Sequence, residues 1–254
     1  VFFFLRLQRP ASYTLFPYST LFGSCTRPFI KRYVEERQLT LLLLVDVSAS
    51  ESFGTRKQLK REMITEICAI LSFSAIQNND KVGVIFFSDQ IEKFIPPKKG
   101  RKHILRIIRE LIEFEPAHNG TSIGEALRYF RNAIKKRSIA FVISDFLDTD
   151  FYKPLSIASR KHDLVALRIY DKREMELPNV GLVKFRDAET GQTQWINTAD
   201  EALRISYKVR AQKETARVFN DFRKAGVDFA SIATGESYVR PLMGLFKKRE
   251  KQLA

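Results

Sequence analysis

Five oxygen-bearing side chains stand where two apolar runs end and where a helix begins. Asp46, Ser48 and Ser50 follow the run Leu39 to Val45; Thr121 lies in Asn119-Gly120-Thr121-Ser122, ahead of a helical stretch; Asp145 follows Ile139 to Ile143, with Asp148 close behind. Alternation in the first segment sends Asp46, Ser48 and Ser50 the same way, so their oxygens can converge, and Thr121 and Asp145 can complete the cluster. Carboxylates and hydroxyls without histidine or cysteine select hard cations, magnesium or manganese and also calcium, over zinc or copper. Each piece alone has a plain structural use, Gly-Thr-Ser as a helix cap and a strand-end aspartate as a turn residue. Their joint placement at strand ends and a helix start points to a metal site.

Other chemistries fit less well. A haloacid-dehalogenase-like, magnesium-dependent phosphatase would use a first aspartate as nucleophile and a second, two residues on, as the acid. Here that second position is Ser48, which cannot serve as that acid. The chain has no Gly-x-x-x-x-Gly-Lys motif and no Gly-x-Ser-x-Gly elbow, and Gly120 and Gly124 do not form a dinucleotide fingerprint. His103, His118 and His162 are expected at the surface or in loops, so no catalytic residue is assigned.

The elements that must position these groups alternate. Buried strands are expected at Leu39 to Val45, Lys81 to Ser88, Ile139 to Ile143, Leu164 to Ile169 and Val227 to Ala233, with a shorter one at Ile91 to Ile95. Helices are expected from a Thr55 cap to about Gln77, over His103 to Phe114, Ile123 to Lys136, Tyr152 to Arg160 and Asp200 to Lys224. The last would carry Ala202, Ile205, Val209, Ala216 and Phe219 inward. Val183 to Ile196 alternates around Thr190-Gly191 as a hairpin would. The pattern predicts an α/β fold: a doubly wound, mostly parallel central sheet with helices on both faces.

Composition agrees with one globular unit. Of 254 residues, 44% are apolar and 28% charged, enough to bury a core without staples. Cys25 and Cys68 are too few for a disulfide framework, which suits a reducing, cytoplasmic setting, and Cys68 falls on an apolar helix position. Lys and Arg exceed Asp and Glu by 43 to 29, a net charge of +14. Lys98, Lys99, Arg101, Lys102, Arg106 and Arg109 crowd one segment, and Arg128, Arg131, Lys135, Lys136 and Arg137 another. Such a field could meet nucleic acid phosphates, but no aromatic interleaving or nucleic-acid module accompanies it, and it equally steers an acidic protein partner.

LLLLVDVSAS, NGTSIGEAL and FVISDF resemble the three metal-binding loops of the von Willebrand factor A-type domain, whose site is the metal-ion-dependent adhesion site. RPFIKRYVEERQLTLLLLVDVSASESFGT is similar to the bacterial proteins of the domain of unknown function 58 family (DUF58), which carry that domain. The resemblance covers about Arg27 to Ala233 and implies a Rossmann-like α/β sandwich with the cation at the top of the sheet. By position it implies Ser48, Ser50 and Thr121 as direct ligands and Asp46 and Asp145 acting mostly through bound water. An open coordination position would take an acidic side chain of a partner. It further implies a non-enzymatic, cytoplasmic interaction domain, an adaptor working with a MoxR-type AAA+ ATPase or its client and not inserted in a membrane. Three features depart from the family pattern. Glu51 stands where a small or apolar residue is usual, Phe146 where many A-type domains have glycine although the DUF58 proteins often have phenylalanine, and the usual Gly-Asp segment before the first strand is replaced.

The expected organisation is a non-native or disordered arm over residues 1–26, a lead-in over 27–37, the A-like domain over 38–233 and a basic tail over 234–254 whose end, from Phe246, is mobile. Residues 1–24 resemble the translation of a sequencing-adapter read, and the chain starts at Val1 as a fragment or assembly product would. No segment has the length and apolarity of a membrane span.

Overall fold

Runs such as Leu41–Val45 and Ala140–Ile143 carry no polar face, so they are stable only where both sides are covered, in the middle of a sheet. The computed structural model describes residues 39–48, 54–55, 58–118, 120–186 and 193–253. In chain order the elements are β1 (Thr40–Asp46), a small pair β2 (Gly54–Thr55) and β3 (Gln58–Leu59), α1 (Lys60–Gln77), β4 (Lys81–Phe87), β5 (Ile91–Lys98), α2 (Arg101–Glu113) and α3 (Ile123–Ala133). They continue with β6 (Ile139–Ser144), α4 (Tyr152–Ser159), β7 (Asp163–Tyr170), α5 (Lys172–Met175), β8 (Leu182–Arg186), β9 (Thr193–Asn197), α6 (Glu201–Ala225), β10 (Asp228–Ala233) and α7 (Val239–Leu253). The arm, the lead-in, Ser50, Glu51 and the Thr190-Gly191 turn lie outside the described residues.

Six strands form one sheet in the order β10-β7-β6-β1-β4-β5, parallel except for the β4–β5 edge pair. This is the doubly wound, mostly parallel α/β architecture expected. From β1 the chain moves to β4 on one side, then returns to β6 on the other, so the switch point lies at the C-terminal ends of β1 and β6. Register places Asp46 beside Phe87 and Val45 beside Ile143.

Alternation along β1 divides the core. Leu41, Leu43 and Val45 face a layer built from α1, α2 and α7, while Leu42 and Leu44 face α3, α4 and α6. Met63, Ile67 and Leu71 carry the inward stripe of α1, and Cys68 is fully buried among them. Phe146, Phe151 and Phe222 pack edge-on and tilted in the second layer, with centroids 4.8–5.9 Å apart.

Several boundaries differ from expectation. Thr55 does not cap α1; it pairs in β2, and the helix starts at Lys60. The strand starting at Ile91 runs through Pro96 and Pro97 to Lys98, which an edge strand tolerates because proline needs no ladder donor on its open side. Only the last turns of α6 reach the sheet. Val218 and Phe222 are buried and Phe219 stacks on Phe229, whereas Ala202, Ile205, Val209 and Ala216 remain exposed. The segment from Phe246 is not a loose tail but the second half of α7, whose Leu242 and Leu245 are buried and whose Arg249 pairs with Asp163 and Asp228. Among the described residues no helix is long and apolar enough to cross a membrane.

Candidate metal centre

At the end of β1 the pleat points Asp46 into a place with almost no water, 2% exposed. Ser144, the last residue of neighbouring β6, donates its hydroxyl to Asp46 Oδ2 at 2.6 Å, and the Ser48 N–H donates to Oδ1 at 3.0 Å. The Ser48 hydroxyl also bonds this carboxylate. The Asp46 carboxyl is nevertheless pushed up to about 7, first by burial and then by the charge of Asp145, against the pull of those hydrogen bonds. A cation beside Asp46 would relieve that cost of ionisation.

Asp145 follows Ser144 and is equally buried. The turn that aims it is tight: Phe146 has φ +59°, its N–H donates to Ser144 Oγ at 3.1 Å, and the Leu147 N–H donates to Asp145 Oδ1 at 3.2 Å. Phe146 is buried in the aromatic cluster, which holds a non-glycine residue in this left-handed conformation. Asp145 Oδ2 lies 3.0 Å from Lys60 Nζ, and Arg168 Nε donates to the Asp145 carbonyl at 3.3 Å.

Thr121 sits half-buried on the same rim, and hydrogen bonds tie its loop to both neighbours. Ser122 N–H donates to the Ser88 carbonyl at 2.7 Å, just past β4, and Ile123 N–H donates to Asp148 Oδ2 at 2.9 Å, just past Asp145. Ser122 also caps α3 through the Glu125 N–H. A cleft lined by Ser48, Arg61, Thr65 and Phe86 opens beside Asp46. The structure thus brings Asp46, Ser48 and Asp145 together, with Thr121 on the adjoining loop.

Sequence reasoning missed three polar residues of this centre. Ser144 reads in sequence only as the end of a strand. Lys60 stands three, four and seven residues before the core positions Met63, Ile64 and Ile67, but its spacing alone does not reveal the distant acids it meets. Glu174 belongs to the four-residue α5, too short to show a period. His162 lies in a loop, as expected, but away from solvent. His162 is 2% exposed, with Nδ1 3.0 Å from Ser138 Oγ and its ring 4.5 Å from that of Phe130. It sits at the opposite end of the sheet from the acids, after α4 and before β7.

The oxygen groups gathered here, two carboxylates with the hydroxyls of Ser48 and Thr121 and no imidazole or thiolate, are of the kind a hard cation takes. Among the described residues no three His, Cys, Asp or Glu side chains are grouped to hold a metal.

Residues 24–217 match the family model described as "Protein of unknown function DUF58". The uncharacterized protein Rv1480 of Mycobacterium tuberculosis (strain ATCC 25618 / H37Rv) is 27% identical over 229 residues, spanning 89% of this chain and 72% of its own length. Among solved structures, the conserved hypothetical protein BatB from Bacteroides thetaiotaomicron aligns over 84% of this chain and 99% of its own. Its TM-score is 0.55 at 15% identity, a likeness of fold. The SpRpn10 VWA domain aligns over 84% of this chain and 95% of its own, with a TM-score of 0.47 at 11% identity.

Proposed function

The chain belongs to the DUF58 family, and we propose that it is a non-enzymatic interaction domain that grips an acidic side chain of a protein partner through a divalent cation. The observation that carries this reading is the buried pair Asp46 and Asp145, set with Ser48 and Ser144 at the switch point of the sheet. Asp46, Ser48, Ser50, Thr121 and Asp145 are the proposed metal-site residues. A bound magnesium or manganese ion, or calcium, would supply positive charge and an open position for a partner carboxylate.

The protein's own residues have separable parts in this. Ser144 and Ser48 orient Asp46; the Phe146 turn aims Asp145; the loop before α3 presents Thr121. The excess of basic side chains, Arg128, Lys135, Lys136 and Arg137 among the exposed ones, would steer an acidic partner toward the domain. Following the family resemblance, the partner we propose is a MoxR-type AAA+ ATPase or its client, met in the cytoplasm. Nucleic acid on the basic faces is the competing reading.

Calorimetric titration of magnesium and manganese into the whole chain tests the proposal, beside Ser48→Ala and Thr121→Ala. Saturable heat in the wild type that disappears in both variants supports it. A wild type that takes up neither ion overturns it and turns attention to nucleic acid.

A further inference from the structure

Lys60 opens α1 and its side chain is wholly buried. A buried ammonium persists only where its charge is met, and among the described residues this one meets Asp145 Oδ2 at 3.0 Å and Glu174 Oε1 at 2.7 Å. Glu174 is itself fixed. The Asp171 N–H donates to Glu174 Oε2 at 3.1 Å in a capping box, the Arg173 N–H donates to Asp171 Oδ1 at 2.8 Å, and Thr234 Oγ1 donates to Asp171 Oδ2 at 2.6 Å. The ammonium therefore bridges the acid pair at the ends of β1 and β6 to α5, which is anchored in turn to the residue after β10.

The two acids are treated unequally. Asp46 is met by hydroxyls and an N–H; Asp145 is met by a full positive charge. An apolar side chain at position 60 would fill the base of the α1 stripe without ion pairing, so what the lysine adds is charge. That charge stands on one of the carboxylates through which a cation would have to be held.

We propose that Lys60 is a built-in counter-cation that competes with a divalent metal ion for Asp145, with Glu174 as the acceptor that retains the ammonium when Asp145 turns to the metal. This deepens the metal-dependent reading above and rests on it. Lys60 acts through Asp145 and is a positioning residue, not a ligand. It sets how readily the site fills, so that only a cation of higher charge than the ammonium can displace it.

The test is calorimetric titration of magnesium and of manganese into the whole chain as wild type, Lys60→Met and Glu174→Gln, with melting temperature measured in EDTA and in excess metal. Competition predicts opposite signs. Lys60→Met binds roughly tenfold tighter, because a positive charge has left the site. It melts lower than wild type in EDTA and gains more than wild type from added metal. Glu174→Gln binds more weakly, because the ammonium loses the carboxylate that holds it when Asp145 turns to the metal. A lysine that merely braces the fold would lower the melting temperature without tightening metal binding.

The outcomes separate the two readings. If the wild type binds metal and Lys60→Met binds no tighter, the competition is overturned and the metal-dependent reading stands. A silent wild type with a binding Lys60→Met supports the competition and removes the metal from the native function. Silence in all three overturns both. Should Lys60→Met fail to fold, Lys60→Gln takes its place as the variant without the charge: tighter binding than wild type supports the proposal, and equal or weaker binding overturns it.

Discussion

Ser144 Oγ lies 2.6 Å from Asp46 Oδ2, joining residues 98 positions apart across the β1–β6 seam, and the same oxygen accepts the Phe146 N–H at 3.1 Å. One hydroxyl thus fixes the first acid of the candidate site and the turn that aims the second. Ser144→Ala removes both bonds and leaves a buried N–H without its acceptor. The expected loss is about 2–3 kcal/mol, read from urea unfolding, with weaker magnesium uptake in the same variant. An unshifted urea midpoint would show that neither bond matters to the fold.

Gly83 lies in β4 between the central strand and the edge. A Cβ there would stand 2.9 Å from the Ile95 carbonyl oxygen, 2.9 Å from Pro97 N and 3.1 Å from Leu42 Cδ1. The first two are backbone atoms of β5, which cannot swing aside as a side chain would. Gly83→Ala should therefore destabilise by about 1–3 kcal/mol through overpacking, despite the usual gain from replacing glycine in a strand. Chemical unfolding of the variant at neutral pH checks this; equal stability would mean that β5 is free to shift outward.

What the sequence made legible was whatever needed burial on two sides. The runs ahead of Asp46 and Asp145 read as interior strands, and the structure puts both acids where those strands end, beside each other at the rim. The inner face of α6 did not follow, because apolar residues recur along all 25 residues while only its last turns meet the sheet. Ile205 and Val209 keep the helical spacing and still face water. Lys60 was hidden for the opposite reason: a charge at a core position makes sense only once Asp145 and Glu174, distant in sequence, are seen around it. The Thr55 cap failed because a hydroxyl before an amphipathic stretch is also common in turns and short strands.

The C-terminal helix supplies a third test. Leu242, Leu245 and Arg249 share one face of α7 at spacings of three and four; the two leucines join the core layer of α1 and α2, and Arg249 pairs with Asp163 and Asp228 on β7 and β10. Leu245→Ala should cost about 2–4 kcal/mol, as for other large-to-small core changes. Thermal melting of Leu245→Ala against Lys251→Ala, an exposed position on the same helix, makes the comparison internal. Equal melting temperatures would return this helix to the status of a detachable tail.

His162 gives the pH dependence its sign. Its ring is enclosed between Phe130 and the Ser138 hydroxyl, and burial, with the Lys161 charge adding to it, pushes its pKa down from 6.5 to about 4. The unfolded chain therefore binds a proton at this residue between pH 6.5 and 4 that the folded chain does not. The contribution of the neutral ring is complete above pH 6.5 and is lost as pH falls toward 4. Between pH 7 and pH 5 the loss from this one group is about 2 kcal/mol. Urea unfolding of wild type and His162→Gln at both values isolates it, since all other titrating groups are shared. The wild type should lose about 2 kcal/mol more than the variant on acidification. Parallel losses would mean that water reaches the imidazole and that it takes up its proton in the folded state.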